Sequence, residues 1–324
     1  MYSIEVLRNA VLCLAIPCLA GCAVTVIEPA RPAPASCSKP NLVVATYNVR
    51  FDTRRDREHR WSRRRDQVGE LLRSFRADLI GLQEVKANQL DDLVPMLAGY
   101  AHDGVGRDDG ARGGEFSPLF YSTRRFTRED GGTFWLSPTP DRPRRGLEFK
   151  PWGTSHNRIV TWALLREKSS DESFLVVNTH FDHVSELARR HSARMVVRFV
   201  RQRSADHYIV MGDFNARPES EPVRVLSTRL RNTVTAPRVR RPVARTSVTA
   251  WTRLKEPGHH IDHIFVSDDL HPLTYEVVDR RLVYSGAPRY PSDHLPVRVS
   301  LCAEPTSHVR KHRRPVRRRR PTSP

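Results

Sequence analysis

The sequence predicts an α/β sandwich, with two mixed β-sheets packed face to face and helices outside. Three observations lead there. From Asn41 onward short apolar runs alternate with amphipathic stretches. Residues 62–75, 87–98 and 185–203 carry helical periodicity between those runs. Yet the extended segments 126–136, 158–166 and 174–180 follow one another with no helix between them. A simple doubly wound sheet would put a helix at each crossing, whereas two packed sheets accommodate both kinds of connection.

The strands are read from short runs rich in β-branched residues. They are Val43-Val44-Ala45-Thr46-Tyr47, Leu79-Ile80-Gly81-Leu82, Phe174-Leu175-Val176-Val177, Tyr208-Ile209-Val210-Met211 and the run Ile261 to Val266. In the helix at 185–203, Leu187, Val196, Val197, Phe199 and Val200 make an apolar side and the arginines face water. Segment 103–117, with Asp108, Asp109 and five glycines, reads as a flexible loop of the length that shapes substrate access.

The two ends differ from this body. A short head with Arg8 precedes the apolar run Val11 to Ile16 and then Leu19-Ala20-Gly21-Cys22. That run is too short to cross a hydrocarbon core of ~30 Å, and the tetrapeptide resembles a bacterial lipobox. Residues 1–21 are therefore expected to be a signal peptide, with Cys22 acylated. Ala23 after it points by the same resemblance to the outer membrane, facing the periplasm or surface. Residues 22–40 form a Pro-rich tether, 41–302 the folded body, and 303–324 an Arg-rich tail expected to be disordered. The formal charge of +18 favours polyanionic partners: nucleic acid, acidic membrane surfaces or phosphorylated metabolites, with nucleic acid or acidic envelope polymer expected on the basic tail. No Cys-x-x-Cys spacing occurs, which excludes a cysteine-bound zinc site.

Chemistry concentrates where the strands stop. Thr46-Tyr47-Asn48, Leu82-Gln83-Glu84, Asn178-Thr179-His180, Gly212-Asp213-Phe214-Asn215, Ile261-Asp262-His263 and Ser292-Asp293-His294 look like one site assembled on a common rim. Glu84 ends a buried strand, and a carboxylate there is costly unless a cation or donor neutralises it. A hard cation prefers oxygen ligands, so Glu84 with Asn48 is the expected metal site. Asp213 and Asn215 lie two apart on an extended segment and point the same way. Asp213 can then orient or deprotonate a water, and the Asn215 amide can stabilise developing charge. An Asx-turn is the competing reading of that pair.

Together these motifs resemble the endonuclease/exonuclease/phosphatase superfamily, over about residues 41–302. The resemblance implies a four-layered α/β sandwich and hydrolysis of a phosphate ester by metal-activated water, with Mg²⁺ or Mn²⁺ and no covalent enzyme intermediate. It implies that His294 and Asp262 form the family's His–Asp pair, that Asp293 approaches the metal, and that His180 donates to a phosphate oxygen or the leaving group. Arg158 is a phosphate clamp or a rim arginine. His183, His191, His259 and His260 are expected on exposed loops or a helix surface. Because the first and last strands are neighbours in this superfamily, Cys37 and Cys302 are placed to pair in an oxidising compartment. Ile261-Asp262-His263 departs from the Cys-Asp-Arg of inositol 5-phosphatases. A phosphodiester in nucleic acid or an envelope phospholipid or glycan is the first choice of substrate. A phosphomonoester on a sugar or inositol comes next, and a non-catalytic, membrane-anchored polyanion binder is the rival. The chain is expected to act as a monomer.

Overall fold

The computed structural model describes Cys37 and residues 41–144, 151–235, 246–255 and 259–304. The signal peptide, Cys22, most of the tether and nearly all of the Arg-rich tail lie outside the described residues. In chain order the first half comprises β1 (Leu42–Asn48), α1 (Trp61–Ser74), β2 (Leu79–Gln83), α2 (Ala87–Met96), β3 (Tyr100–Asp103), β4 (Leu119–Ser122) and β5 (Phe126–Trp135). There follow β6 (Ile159–Glu167), β7 (Ser173–His180), α3 (Glu186–Arg201), β8 (His207–Asp213), α4 (Glu221–Ser227) and β9 (Arg231–Asn232). The last strands are β10 (Asp262–Val266), β11 (Leu270–Val277), β12 (Leu282–Tyr284), β13 (Ala287–Arg289) and β14 (Val297–Ala303).

Two six-stranded sheets form, in the orders β11-β14-β1-β2-β4-β3 and β5-β6-β7-β8-β10-β9, and β12-β13 is a separate hairpin. Each sheet has one parallel pair at its centre, β1 with β2 and β7 with β8, joined through α1 and α3. Antiparallel neighbours complete both sheets, so the mixed-sandwich expectation is met.

Side-chain alternation divides the apolar residues among three cores. Leu42, Val44, Leu79, Val176, Ile209, Met211, Ile264 and Val299 meet between the sheets. Ala45, Tyr47, Ile80 and Leu82 pack with Val68, Leu71 and Leu72 of α1. Leu175, Val177 and Val210 pack with Val196, Val197 and Val200 of α3. The same parity carries Asn48, Gln83, Asn178, His180, Asp213 and Asp262 to the inner faces. Pairing aligns Asn48 with Gln83, His180 with Asp213, and Asp213 with Asp262, so these residues share one rim of the sandwich.

Beneath that rim the sheets are joined by a polar bridge. Gln83 Nε2 donates to Asn178 Oδ1 at 2.7 Å and to Thr46 Oγ1 at 3.0 Å. Asn178 Nδ2 returns hydrogen bonds to the carbonyls of Leu82 and Pro118, at 2.8 and 2.9 Å. Gly81 allows this approach, because a Cβ there would lie 2.6 Å from Asn178 Oδ1.

The sequence reading missed β3, β4, β9, β11, β12, β13 and β14 as elements, and α4. Strand β14 also runs through Ala303, and the Glu304 amide donates to the Asp269 carbonyl at 3.1 Å. The fold therefore extends slightly past residue 302. Segment 103–117 is a loop whose residues line the cleft described below. It folds back on itself through Gly106 N to Ala111 O (2.9 Å), Arg107 N to Glu115 O (3.1 Å) and Asp108 N to Gly113 O (3.0 Å). A disulfide joins Cys37 to Cys302 with Cα atoms 5.6 Å apart.

Candidate active site

The rim opens into a cleft of about 1020 Å³ whose lining includes Glu84, His180, Asp213, Asn215, Asp293 and His294. Local backbone shape aims several of these. Glu84 has φ +60° and Asn215 φ +47°, a left-handed conformation that costs a non-glycine residue of order 1 kcal/mol. Two hydrogen bonds hold Glu84 there: Asn48 Nδ2 donates to Oε1 at 3.0 Å and Phe51 N to Oε2 at 3.1 Å. Gly212 has φ +150°, and a Cβ on it would sit 2.0 Å from the Thr179 carbonyl oxygen, so the residue before Asp213 must be glycine.

His294 Nδ1 lies 2.9 Å from Asp262 Oδ2, and its Nε2 is 3.7 Å from Asp213 Oδ2. Burial alone would lower the imidazole, but Asp262 and Asp213 outweigh it and hold His294 well above its ordinary value. Asp213 is pushed up to about 7, first by burial and then by Asp262. Asn48 Nδ2 and the Asn215 backbone N–H still donate to it, at 3.0 and 2.9 Å. Glu84 behaves oppositely: burial would raise it, yet Asn48, His294 and Arg50 keep it below the usual carboxylate range. Asp293 is raised by burial, with Glu84 adding to the effect.

The structure gives each of the polar side chains on the rim its own partners. Asn48 turns its amide nitrogen to Glu84 and Asp213, and its oxygen accepts from Arg50 N at 2.9 Å. Here it bridges the carboxylates of Glu84 and Asp213. Asn215 Nδ2 donates to the Phe181 carbonyl and to His180 Nε2, both at 3.1 Å. His180 Nε2 is thus an acceptor, and burial together with Arg158 and Arg107 lowers its pKa well below the ordinary value. His180 Nε2 orients the Asn215 amide, and it also lies 3.5 Å from Asp213 Oδ2. His260 is buried and hydrogen-bonded to the Tyr275 hydroxyl, not exposed.

Other participants carry no motif that marks them. Arg50 grips Asp56 at 3.0 and 3.1 Å and lies 4.0 Å from Glu84 and 3.7 Å from Asp293. Arg64 of α1 is fully buried and donates to the carbonyls of Val49, Arg50, His59 and Pro291. It locks the loop before Ser292-Asp293-His294 against the loop after β1.

The residues present fit a divalent cation. Four carboxylates (Glu84, Asp213, Asp262 and Asp293) are gathered on one rim, and Asp262 Oδ1 is buried with no hydrogen-bond partner. Asp213, Asp262 and His294 offer ligand atoms within 4.8 Å of one another. His294 Nδ1 is already paired with Asp262, however, so the oxygen-rich side at Glu84 and Asp293 suits a hard cation better.

A family model for the Endonuclease/Exonuclease/phosphatase family matches residues 45–294. The chain belongs to that family. Members of the endonuclease/exonuclease/phosphatase family are phosphoesterase hydrolases that generally depend on a divalent metal. The crystal structure of another family member, from Bacteroides thetaiotaomicron, is 31% identical and covers 82% of this chain and 99% of its own, with a TM-score of 0.74. A mannosyl-6-phosphatase of the same organism is 33% identical over 81% of this chain and 99% of its own, with a TM-score of 0.73. Among curated proteins, the uncharacterized protein L388 of Acanthamoeba polyphaga mimivirus is 26% identical over 179 residues. That match spans 51% of this family member and 63% of the viral protein.

Proposed function

We propose that the chain hydrolyses a phosphomonoester of a small polar molecule, a phosphorylated sugar being the leading class, with Mg²⁺ or Mn²⁺ bound. The observation that carries the reading is the convergence of Glu84, Asp213 and His294 on one cleft, with Asp262 buried behind His294 at 2.9 Å. Glu84 and Asp293 would hold the divalent cation, which would supply charge neutralisation to the phosphoryl group. Asp213 orients the attacking water and takes its proton as the new P–O bond forms. His294, kept cationic by Asp262, hydrogen-bonds the phosphoryl group and gives a proton to the departing alcohol as its P–O bond breaks. The likeness to a mannosyl-6-phosphatase moves the preference from a diester to a monoester. The basic composition keeps a phosphodiester of nucleic acid or envelope lipid as the second reading.

The test is a substrate panel on the full chain with Mg²⁺ or Mn²⁺: sugar phosphates, inositol phosphates, plasmid DNA, RNA and phospholipids. Turnover of sugar phosphates above all others is expected, and cleavage of DNA or lipid alone would overturn the monoester reading. Export and acylation at Cys22 remain part of this proposal, and the Cys37–Cys302 disulfide supports an oxidising compartment. Detergent partitioning that survives Cys22→Ser would refute the anchor.

A further inference from the structure

One wall of the cleft holds basic groups that the hydrolytic steps leave unused. Arg158, just before β6, is 5% exposed, and its Nε and Nη1 have no hydrogen-bond partner. Its Nη2 donates to His183 Nδ1 at 3.0 Å, which fixes the His183 proton on Nε2. The nearest carboxylate oxygen to Arg158 is Asp182 Oδ2, 3.7 Å from Nε. Asp182 is itself engaged by Oδ1, which accepts from Val184 N and Ser185 N at 3.0 and 2.8 Å.

Arg107 of the 103–117 loop is 7% exposed and clasps Glu115 at 2.6 and 2.9 Å. Its Nε has no hydrogen-bond partner and lies 3.9 Å from the half-exposed Asp108. The Arg107 carbonyl accepts from Trp135 Nε1 at 2.7 Å, so the loop is pinned with its guanidinium in the cleft. His156 stacks on His183 with ring centroids 6.1 Å apart. Burial and then Arg158 lower His183, and burial and then Arg107 lower His156, as expected for neighbours in one positive field.

A buried guanidinium with unused N–H groups costs several kcal/mol unless something pairs with it. Arg107 and Arg158 line the same cleft as Asp213, His180 and His294, and their unpaired nitrogens lie just beneath its surface. A phosphomonoester at neutral pH carries two negative charges and a diester one. The extra charge would be repelled by Glu84, Asp213 and Asp293, and the basic wall offsets that repulsion.

We propose that Arg158 and Arg107, with the Nε2–H of His183, form an anion subsite that binds the phosphoryl oxygens of a dianionic monoester and selects it over a diester. The inference rests on the phosphoesterase reading and adds the residues that set the bond type. Loss of one charged, forked contact corresponds to roughly 10–100-fold in recognition.

The experiment compares p-nitrophenyl phosphate with its methyl diester in the full chain with Mg²⁺, for wild type, Arg158→Lys and Arg107→Gln. Orthophosphate affinity is measured by calorimetry in parallel, and folding of each variant is checked by near-ultraviolet circular dichroism. If Arg158→Lys does not fold, Arg107→Gln carries the test. The expected result is a fall of about tenfold or more in the monoester-to-diester ratio of kcat/KM, with orthophosphate binding weakened to match. Equal losses on both esters, or unchanged orthophosphate binding, would overturn the subsite. A wild type that binds orthophosphate in an Arg107- and Arg158-dependent way but cleaves neither ester would overturn the hydrolase reading and leave the subsite standing.

Discussion

Asp213 shows how one residue joins stability to chemistry. Its carboxyl is pushed up to about 7 from an ordinary value of 3.8, so the folded state holds the proton more tightly than the unfolded chain does. The resulting stabilisation is fully present below the unfolded value and is lost as pH rises through about 7. Above that pH the ionised group costs on the order of 2–4 kcal/mol. In excess chelator, Asp213→Asn should flatten the fall in Tm across this window, melt several degrees higher at pH 8, and have no measurable turnover. A variant that tracks wild type in Tm at every pH would show that Asp213 is not strained by its neighbours. The sequence foreshadowed the residue, because Gly-Asp-x-Asn at a strand end is a local pattern. It did not reveal that Asn48 and His180 would serve as spacer and acceptor, since an amide's orientation depends on partners brought in from other strands.

At the scale of elements, buried strands with uniform apolar content were readable and marginal ones were not. β1, β2, β7, β8 and β10 announce themselves by continuous runs, whereas β3 is Tyr-Ala-His-Asp, half-buried along its length. β14 alternates Val297, Val299 and Leu301 inward with Arg298 outward, a period-two signal available but weak in seven residues. Helix α1 hides a different kind of information. Among its arginines only Arg64 is fully buried; it follows Trp61 by three and precedes Val68 by four on the buried face, whereas Arg63 and Arg65 are exposed. Its four carbonyl acceptors come from two segments, the β1–α1 connection and the loop before Ser292. Arg64→Lys keeps the charge but loses the fork, so it should lower stability by about 2–4 kcal/mol in a denaturant melt. A shift within 0.5 kcal/mol, on the order expected for an ordinary surface arginine, would contradict this anchoring role.

For the whole molecule, the sandwich follows from two parallel β-α-β units whose strands end on a common rim, and that much was legible in the order of motifs. The basic wall was not, because Arg107 and Arg158 are 51 positions apart in the sequence and meet only through folding. Closure of the body by Cys37–Cys302 spans a separation of 265 residues. Cross-linking so long a loop restricts the unfolded chain, so Cys302→Ser or reduction should cost about 2–5 kcal/mol. Identical melting of oxidised and reduced protein would show that the bridge adds nothing to the fold.

The most direct test of the site as a metal-assisted phosphoesterase is the hydrolysis rate of a small phosphomonoester, measured in Mg²⁺ and again in excess chelator, for wild type and Asp213→Ala. The rim geometry predicts turnover for wild type in Mg²⁺ that chelator abolishes and metal restores, with Asp213→Ala folded but inactive in both. Undiminished turnover in chelator, or in Asp213→Ala, would contradict it.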